Sequence, residues 1–189
     1  MKTNYLFLAP GFEETEAIAP LDILRRAGAQ VKTVSITPGE PVVTGAHGVG
    51  VTADMTIDQL PSSAATDADW LILPGGMPGA TNLVNCKPLA ELLKAHAKAE
   101  GNLAAICASP AVVLGALGLL SYHRATCYPD MDGMAGDETI EWVAEGVVRD
   151  GRVITGRGPA YAFAFGMALA EAICGRDAAA QVAAGMLLS

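Results

Sequence analysis

One cysteine sits in a sequence context that suits covalent chemistry. Leu103-Ala104-Ala105-Ile106 reads as a short buried strand, followed by Cys107, Ala108, Ser109 and Pro110. Ala111 to Leu117 then reads as a helix, and a proline is tolerated in a first helical turn, where its missing N–H is not needed. Cys107 is therefore expected on a tight strand-to-helix turn. Such an elbow requires small residues two before and two after the nucleophile, and here these are Ala105 and Ser109. The N-terminus of the following helix offers free N–H groups and a partial positive charge, which favour a thiolate over a thiol. The plainer alternative is a buried structural cysteine, the usual fate of a free one.

Two further features fall at the ends of expected strands. Glu13-Glu14-Thr15-Glu16 follows the first strand, Asn4 to Ala9, and Gly75-Gly76 follows the strand Asp69 to Leu73. Ligands of open parallel sheets bind outside the carboxyl ends of the strands, so Cys107, the glutamates and the glycines converge on one edge. Gly75 and Gly76 are able to present consecutive N–H groups to an oxyanion, the alternative being a plain turn. Glu16 is the acid best placed to face back toward the sheet, whereas Glu13 suits a solvated role at the helix dipole. A carboxyl buried beside sulfur is expected to have its pKa raised and to donate a hydrogen bond to a thiolate.

The histidine base of a cysteine hydrolase has no clear candidate. His96 is expected on the solvent side of an amphipathic helix, and His123 in a loop. His47 lies in a glycine-rich β excursion from which it is able to reach a pocket. No His, Cys, Asp or Glu grouping has metal-ligand spacing, and no phosphate loop or dinucleotide fingerprint is present. Neither a metal nor an organic cofactor is expected.

The elements that must position these residues follow from hydrophobic patterning. A strand, a helix ending at Arg25-Arg26 and Gly28, and a second strand from Val31 to Ile36 make a βαβ unit, hence a parallel sheet. Val42-Thr44 and Val49-Ala53 form the β excursion. Lys87 to Lys98 reads as a helix with a basic last turn, stopped by Gly101. Asp150-Gly151 is a hairpin turn between Val147-Arg149 and Arg152-Thr155, and helices follow Pro159 and Gly175. The reading is a single α/β domain over residues 1–189, with helices on both faces of a mostly parallel sheet. A net charge of −8 excludes a basic nucleic-acid face or an affinity for anionic membranes. No apolar run is long enough for a membrane span, and no export signal is apparent. Four cysteines without scaffold spacing fit reduced thiols in the cytoplasm. A small-molecule or protein partner is expected.

In order along the chain, Gly11-Phe12-Glu13-Glu14-x-Glu16, Leu73-Pro74-Gly75-Gly76, Ala104-Ala105-Ile106-Cys107-Ala108-x-Pro110 and Arg157-Gly158-Pro159 resemble the ThiJ/PfpI superfamily. The resemblance is to the branch of the parkinsonism-associated protein (DJ-one) and its bacterial relatives. It implies a flavodoxin-like fold, a homodimer, Cys107 as the reactive cysteine, Glu16 as its carboxyl partner, and a site lined by the Gly75, Gly76 and Ala108 backbone. It further implies glutathione-independent glyoxalase or deglycase activity on small reactive dicarbonyls or their adducts. The alternative it carries is an oxidative-stress sensor or chaperone built on an oxidisable cysteine of low pKa. Two departures matter. The protease-like branch has a histidine after the nucleophile, where Ala108 stands here, so peptidase activity is not expected. The branch's histidine before a proline is replaced by Tyr128, a hydrogen-bond donor but a poor base at neutral pH. Tyr128 and His47 are left as candidate substrate contacts.

Overall fold

The computed structural model describes residues 2–188. A seven-stranded sheet runs through the molecule in the order β10-β11-β7-β6-β1-β2-β5. In chain order its strands are β1 (Thr3–Leu8), β2 (Val31–Ser35), β5 (Met55–Thr56), β6 (Ala68–Leu73), β7 (Asn102–Ile106), β10 (Val147–Asp150) and β11 (Val153–Gly156). All neighbours are parallel except the β10–β11 hairpin at one edge. The chain leaves β1 toward β2 on one side and later returns to β6 on the other. The reversal of strand order therefore lies between β1 and β6, where a doubly wound sheet opens a crevice.

Period-two alternation divides the sheet between two cores. Tyr5, Phe7, Leu71, Leu73 and Ala105 point to one face. Helices α3 (Gly79–Asn85) and α4 (Lys87–Lys98) cover that face. Leu6, Leu8, Ile72, Ala104 and Ile106 point to the other. Here they meet α1 (Glu14–Arg26), α5 (Ala162–Cys174) and α6 (Arg176–Met186). Because both faces are covered, the central strands are apolar throughout rather than alternating. Full burial of Phe7, Leu8, Leu71 or Leu73 stabilises by about 1.5–3 kcal/mol each. Helix α1 approaches α5 closely at Gly166, where an added Cβ would lie 2.8 Å from Ile23 Cδ1 and 2.9 Å from Pro20 Cα. This packing holds α1, Pro20 included, against the sheet.

Smaller elements surround this frame. Strands β3 (Val42–Thr44) and β4 (Gly50–Thr52) form an antiparallel hairpin. A short helix, α2 (Ala64–Asp67), precedes β6, and β8 (Arg124–Ala125) pairs with β9 (Glu141–Trp142). The expected helix after Cys107 is a π-helical stretch, Pro110–Gly115. Its end carries bonds of i→i−5 spacing from Ala116 N–H to Ala111 C=O and from Leu119 N–H to Leu114 C=O. Two expectations need correction. Helix α3 was not apparent in the sequence, since it is seven residues long and opens on glycine. His96 is buried rather than solvent-facing, 1% exposed. Its ring nitrogens lie 2.9 Å from the Ala65 carbonyl and 3.1 Å from the Asn102 carbonyl. Two backbone oxygens thus replace the water that the amphipathic pattern alone implied. No helix among the described residues is long and apolar enough to cross a membrane.

Candidate functional site

Cys107 follows the last residue of β7 and has φ +66°, a left-handed conformation that costs a non-glycine residue about 1–2 kcal/mol. Two backbone bonds hold it there. Its N–H donates to the Gly156 carbonyl at 2.9 Å, and its carbonyl accepts from the Tyr128 N–H at 2.8 Å. Ala105 and Ser109, the flanking small residues, are fully buried. The sharp turn lifts the side chain off the sheet edge toward α1 and the β6 turn.

Glu16 reaches the same point from the first turn of α1. The helix begins there because the Glu13 carboxylate caps it, accepting the Glu16 N–H at 2.7 Å. The Glu16 side chain is fully buried. Its Oε2 accepts the Gly75 N–H at 3.0 Å, and its Oε1 has no hydrogen-bond partner among the described residues. Burial pushes its pKa up to about 7, helped by the charge of Glu13 and opposed by bonds with Cys107 and Gly75. A carboxyl group in that range suits proton transfer near neutral pH.

The third component is the Pro74-Gly75-Gly76 turn after β6. Gly75 lies against both other groups: an added Cβ would come within 2.6 Å of Cys107 Cβ and of Glu16 Oε2. Only glycine fits. Gly76 has φ +90°, and its N–H, with that of Ala108, faces the Cys107 sulfur and pulls the thiol pKa down. The expected pair of free glycine N–H groups is thereby altered, because the Gly75 N–H is already taken by Glu16.

The expectation of a thiolate of low pKa is also corrected. Burial, and then the Glu16 charge, push the Cys107 thiol up to about 12, outweighing the two N–H groups. The helix N-terminus alone suggested the opposite. Desolvation in the packed crevice and a carboxylate at the sulfur decide the sign. The site is thus a coupled acid pair in which burial and like charge oppose ionising both groups at once.

The remaining candidates lie farther out. His47 is exposed at the tip of the β3–β4 hairpin, its Nδ1 2.7 Å from Glu14 Oε2. Its imidazole serves the Glu14 carboxylate, which also accepts the His47 N–H. His123 pairs with Asp150 at 3.0 Å. Glu13, Glu14 and His47 bring donor atoms within 4.8 Å of one another, but Glu14 is engaged by His47 and Glu13 by the helix cap. The ring of Tyr128 is partly exposed, at the border of two cavities of about 180 Å³ each, one shared with Cys127 and Trp142, the other with Pro159 and Tyr161. Its link to Cys107 is through the backbone. Sequence reasoning missed the hydroxyl of Ser109, which donates to the Pro74 carbonyl at 2.6 Å. The one signal for it was a hydroxyl where an elbow asks only for a small residue.

A doubly wound α/β sheet with a cysteine elbow, a buried glutamate and a glycine turn at its strand reversal defines a class of cysteine-elbow proteins. The DJ-1/PfpI family model matches residues 2–172, and the chain belongs to that family. Among curated relatives, protein dj-1beta of Drosophila melanogaster is 34% identical over 188 residues, covering 100% of this chain and 98% of the relative. The glutathione-independent glyoxalase DJR-1.2 of Caenorhabditis elegans is 34% identical over 177 residues, covering 93% and 91%. The chain spans 40% and 47% of the length of two Arabidopsis thaliana DJ-1 homologues, B and A, to which it is 37% identical. The crystal structure of Drosophila DJ-1beta superposes with a TM-score of 0.91 at 34% identity, covering 100% of this chain and 98% of that one. That of a DJ-1 superfamily protein from Salmonella typhimurium gives 0.90 at 32% identity, covering all of both chains.

Proposed function

We propose that the chain is a cysteine-dependent, glutathione-independent glyoxalase or deglycase acting on small dicarbonyls or their adducts. The observation that carries this reading is the Glu16 carboxyl, fully buried against Cys107 with one oxygen unpartnered. Glutathione-independent glyoxalase activity in the C. elegans relative adds support.

In the proposed reaction the Glu16 carboxylate takes the thiol proton as Cys107 Sγ attacks the aldehyde carbon of methylglyoxal. The new S–C bond pushes the carbonyl pair onto oxygen, where the Gly76 and Ala108 N–H groups steady the charge. Glu16 returns the proton to that oxygen, giving a hemithioacetal. The carboxylate next removes the hydrogen from the sulfur-bearing carbon, and the ketone oxygen gains a proton, which leaves an enediol. Glu16 then takes the proton of the hydroxyl on the sulfur-bearing carbon and delivers one to the neighbouring carbon, which closes the C=O of a thioester. Water then cleaves its C–S bond, releasing lactate and restoring the thiol. Methylglyoxal and water account for every atom of the product, and Glu16 alone moves the protons.

The test is conversion of methylglyoxal to lactate by metal-free protein. Many turnovers per chain, lost in Cys107→Ser, are expected. Stoichiometric loss of methylglyoxal without lactate overturns the proposal and leaves a thiol that reacts once. The sensor reading has its own support in the same N–H groups and carboxyl, which suit the oxygens of a cysteine sulfinate. One structural neighbour, at 34% identity, is Toxoplasma gondii DJ-1 in oxidised form.

A further inference from the structure

One peptide unit, Pro74–Gly75, carries a hydrogen bond at each of its polar ends. Its N–H donates to Glu16 Oε2 at 3.0 Å, and its carbonyl accepts from Ser109 Oγ at 2.6 Å. Ser109 and Glu16 are both fully buried, so water does not compete for either bond. Ser109 stands two residues beyond Cys107 in the elbow, and the peptide lies against Cys107 Cβ and Glu16. A peptide is planar, so holding its carbonyl also aims its N–H. A hydroxyl donating to the carbonyl polarises the amide and makes the N–H a stronger donor.

We propose that Ser109 is a positioning residue for the Cys107–Glu16 pair, acting through the Pro74–Gly75 peptide. The inference rests on reading those two as the reacting pair. The elbow carries the nucleophile and, two residues on, the hydroxyl that sets the partner carboxyl's donor. Displacement of one is thereby transmitted to the other. The next peptide is anchored separately, since the Gly75 carbonyl accepts the Glu13 N–H at 3.0 Å. Ser109 therefore controls a single rotation, that of the peptide plane between nucleophile and carboxyl. Glycine at 75 has no side chain to resist that rotation.

Removing the hydroxyl weakens the Gly75 N–H bond to the ionised carboxylate, so Glu16 holds its proton to higher pH. The test compares wild type, Ser109→Ala and Ser109→Thr. It follows iodoacetamide alkylation of Cys107 against pH by peptide mass spectrometry, and the Glu16 carboxyl band by infrared difference spectroscopy against Glu16→Gln. In Ser109→Ala the Glu16 midpoint, and with it the alkylation step that uses the Glu16 carboxylate to take the thiol proton, is expected to rise by about half a pH unit, and kcat to fall about tenfold at little-changed KM. Ser109→Thr keeps the hydroxyl and is expected to return the midpoints toward wild type. Wild-type midpoints in Ser109→Ala, or equal shifts in both variants, overturn the proposal and reduce Ser109 to a packing role. Alkylation and the infrared band need no turnover. A protein without glyoxalase activity therefore still reports on Ser109, and failure of the functional reading is seen separately in the lactate assay.

Discussion

Two cysteines at this edge of the sheet share most of what is usually taken to mark a reactive thiol, yet their surroundings differ. Cys107 and Cys127 are 8% and 9% exposed. They lie on neighbouring segments, joined by the bond from the Tyr128 N–H to the Cys107 carbonyl. Burial, with a nearby carboxylate (Glu16 or Asp132), pushes each thiol up to about 12. What separates them is what the sulfur faces. Cys107 sits at positive φ beneath two N–H groups and beside a buried carboxyl held near pH 7. Cys127 lies 3.4 Å from the Tyr128 carbonyl oxygen, and only Arg157 acts to lower its pKa. Burial alone makes an inert thiol. A proton acceptor buried with it, and donors aimed at the charge that develops, make a nucleophile.

The largest expected effect breaks this contrast at the sulfur. Cys107→Ser is expected to lower turnover by about 10⁴-fold or more, the scale of losing a nucleophile. Cys127→Ser is expected to leave it within about twofold, as for a residue outside the reacting set. Lactate formation measured on both variants decides, and equal losses would end the distinction.

Next comes the proton carrier of the proposed reaction. Glu16→Gln keeps the shape but not the titration, and a fall of about 10²–10⁴ in kcat is expected for a lost general acid–base. Steady-state kinetics should show this as a change in kcat rather than KM.

The third effect is on stability. The folded pKa of Glu16, about 7, lies above its ordinary 4.5. Between those values the native state holds a proton that the unfolded chain has released. Glu16 therefore favours the fold fully below about pH 4.5, and that contribution is lost as pH rises through about 7, a decline of about 3 kcal/mol. Urea denaturation across this window should show the decline in wild type relative to Glu16→Gln. The depressed carboxylates Glu14, Asp54 and Asp150 act in the opposite sense, losing stability as pH falls, and are common to both proteins. A flat difference between the two proteins would contradict the buried, raised carboxyl.

The smallest effect sharpens the other half of the comparison. Asp132→Asn removes a charge that raises the Cys127 thiol. Alkylation of Cys127 should quicken modestly while turnover stays unchanged, since no bond links Asp132 to Glu16 or Cys107 in the structure.

Much of the frame is legible in the chain itself. Apolar runs and their punctuation mark β1, β2, β6 and β7, and the Asp-Gly turn marks the β10–β11 hairpin. Helix α4 spans Lys87–Lys98, as its basic last turn and the Gly101 stop predict. Small residues around Cys107 announce the elbow because steric exclusion is local. Elements built on long-range contact are not legible in this way. The two-residue strand β5 exists through its pairing with Val34 and Ser35, and α3 packs its Gly79 against the Gly11 backbone. His96 reads as a surface residue until two distant carbonyls meet its ring.

Local patterning along the chain specifies the parallel α/β frame, the elbow at Cys107 and the presence of Glu16 and two glycines at the strand ends. These follow from backbone sterics and hydrophobic periodicity, which act over a few residues. The direction of each pKa shift in the site is instead set by packing across the fold. The sign of each pKa shift depends on which groups are stripped of water together. The crevice between β1 and β6 brings Glu16, 59 residues from Gly75 in sequence, into one desolvated cluster with Cys107. It likewise decided that the Gly75 N–H serves Glu16 and that Ser109 reaches Pro74, because hydrogen bonds across separate turns are set by packing and not by spacing along the chain.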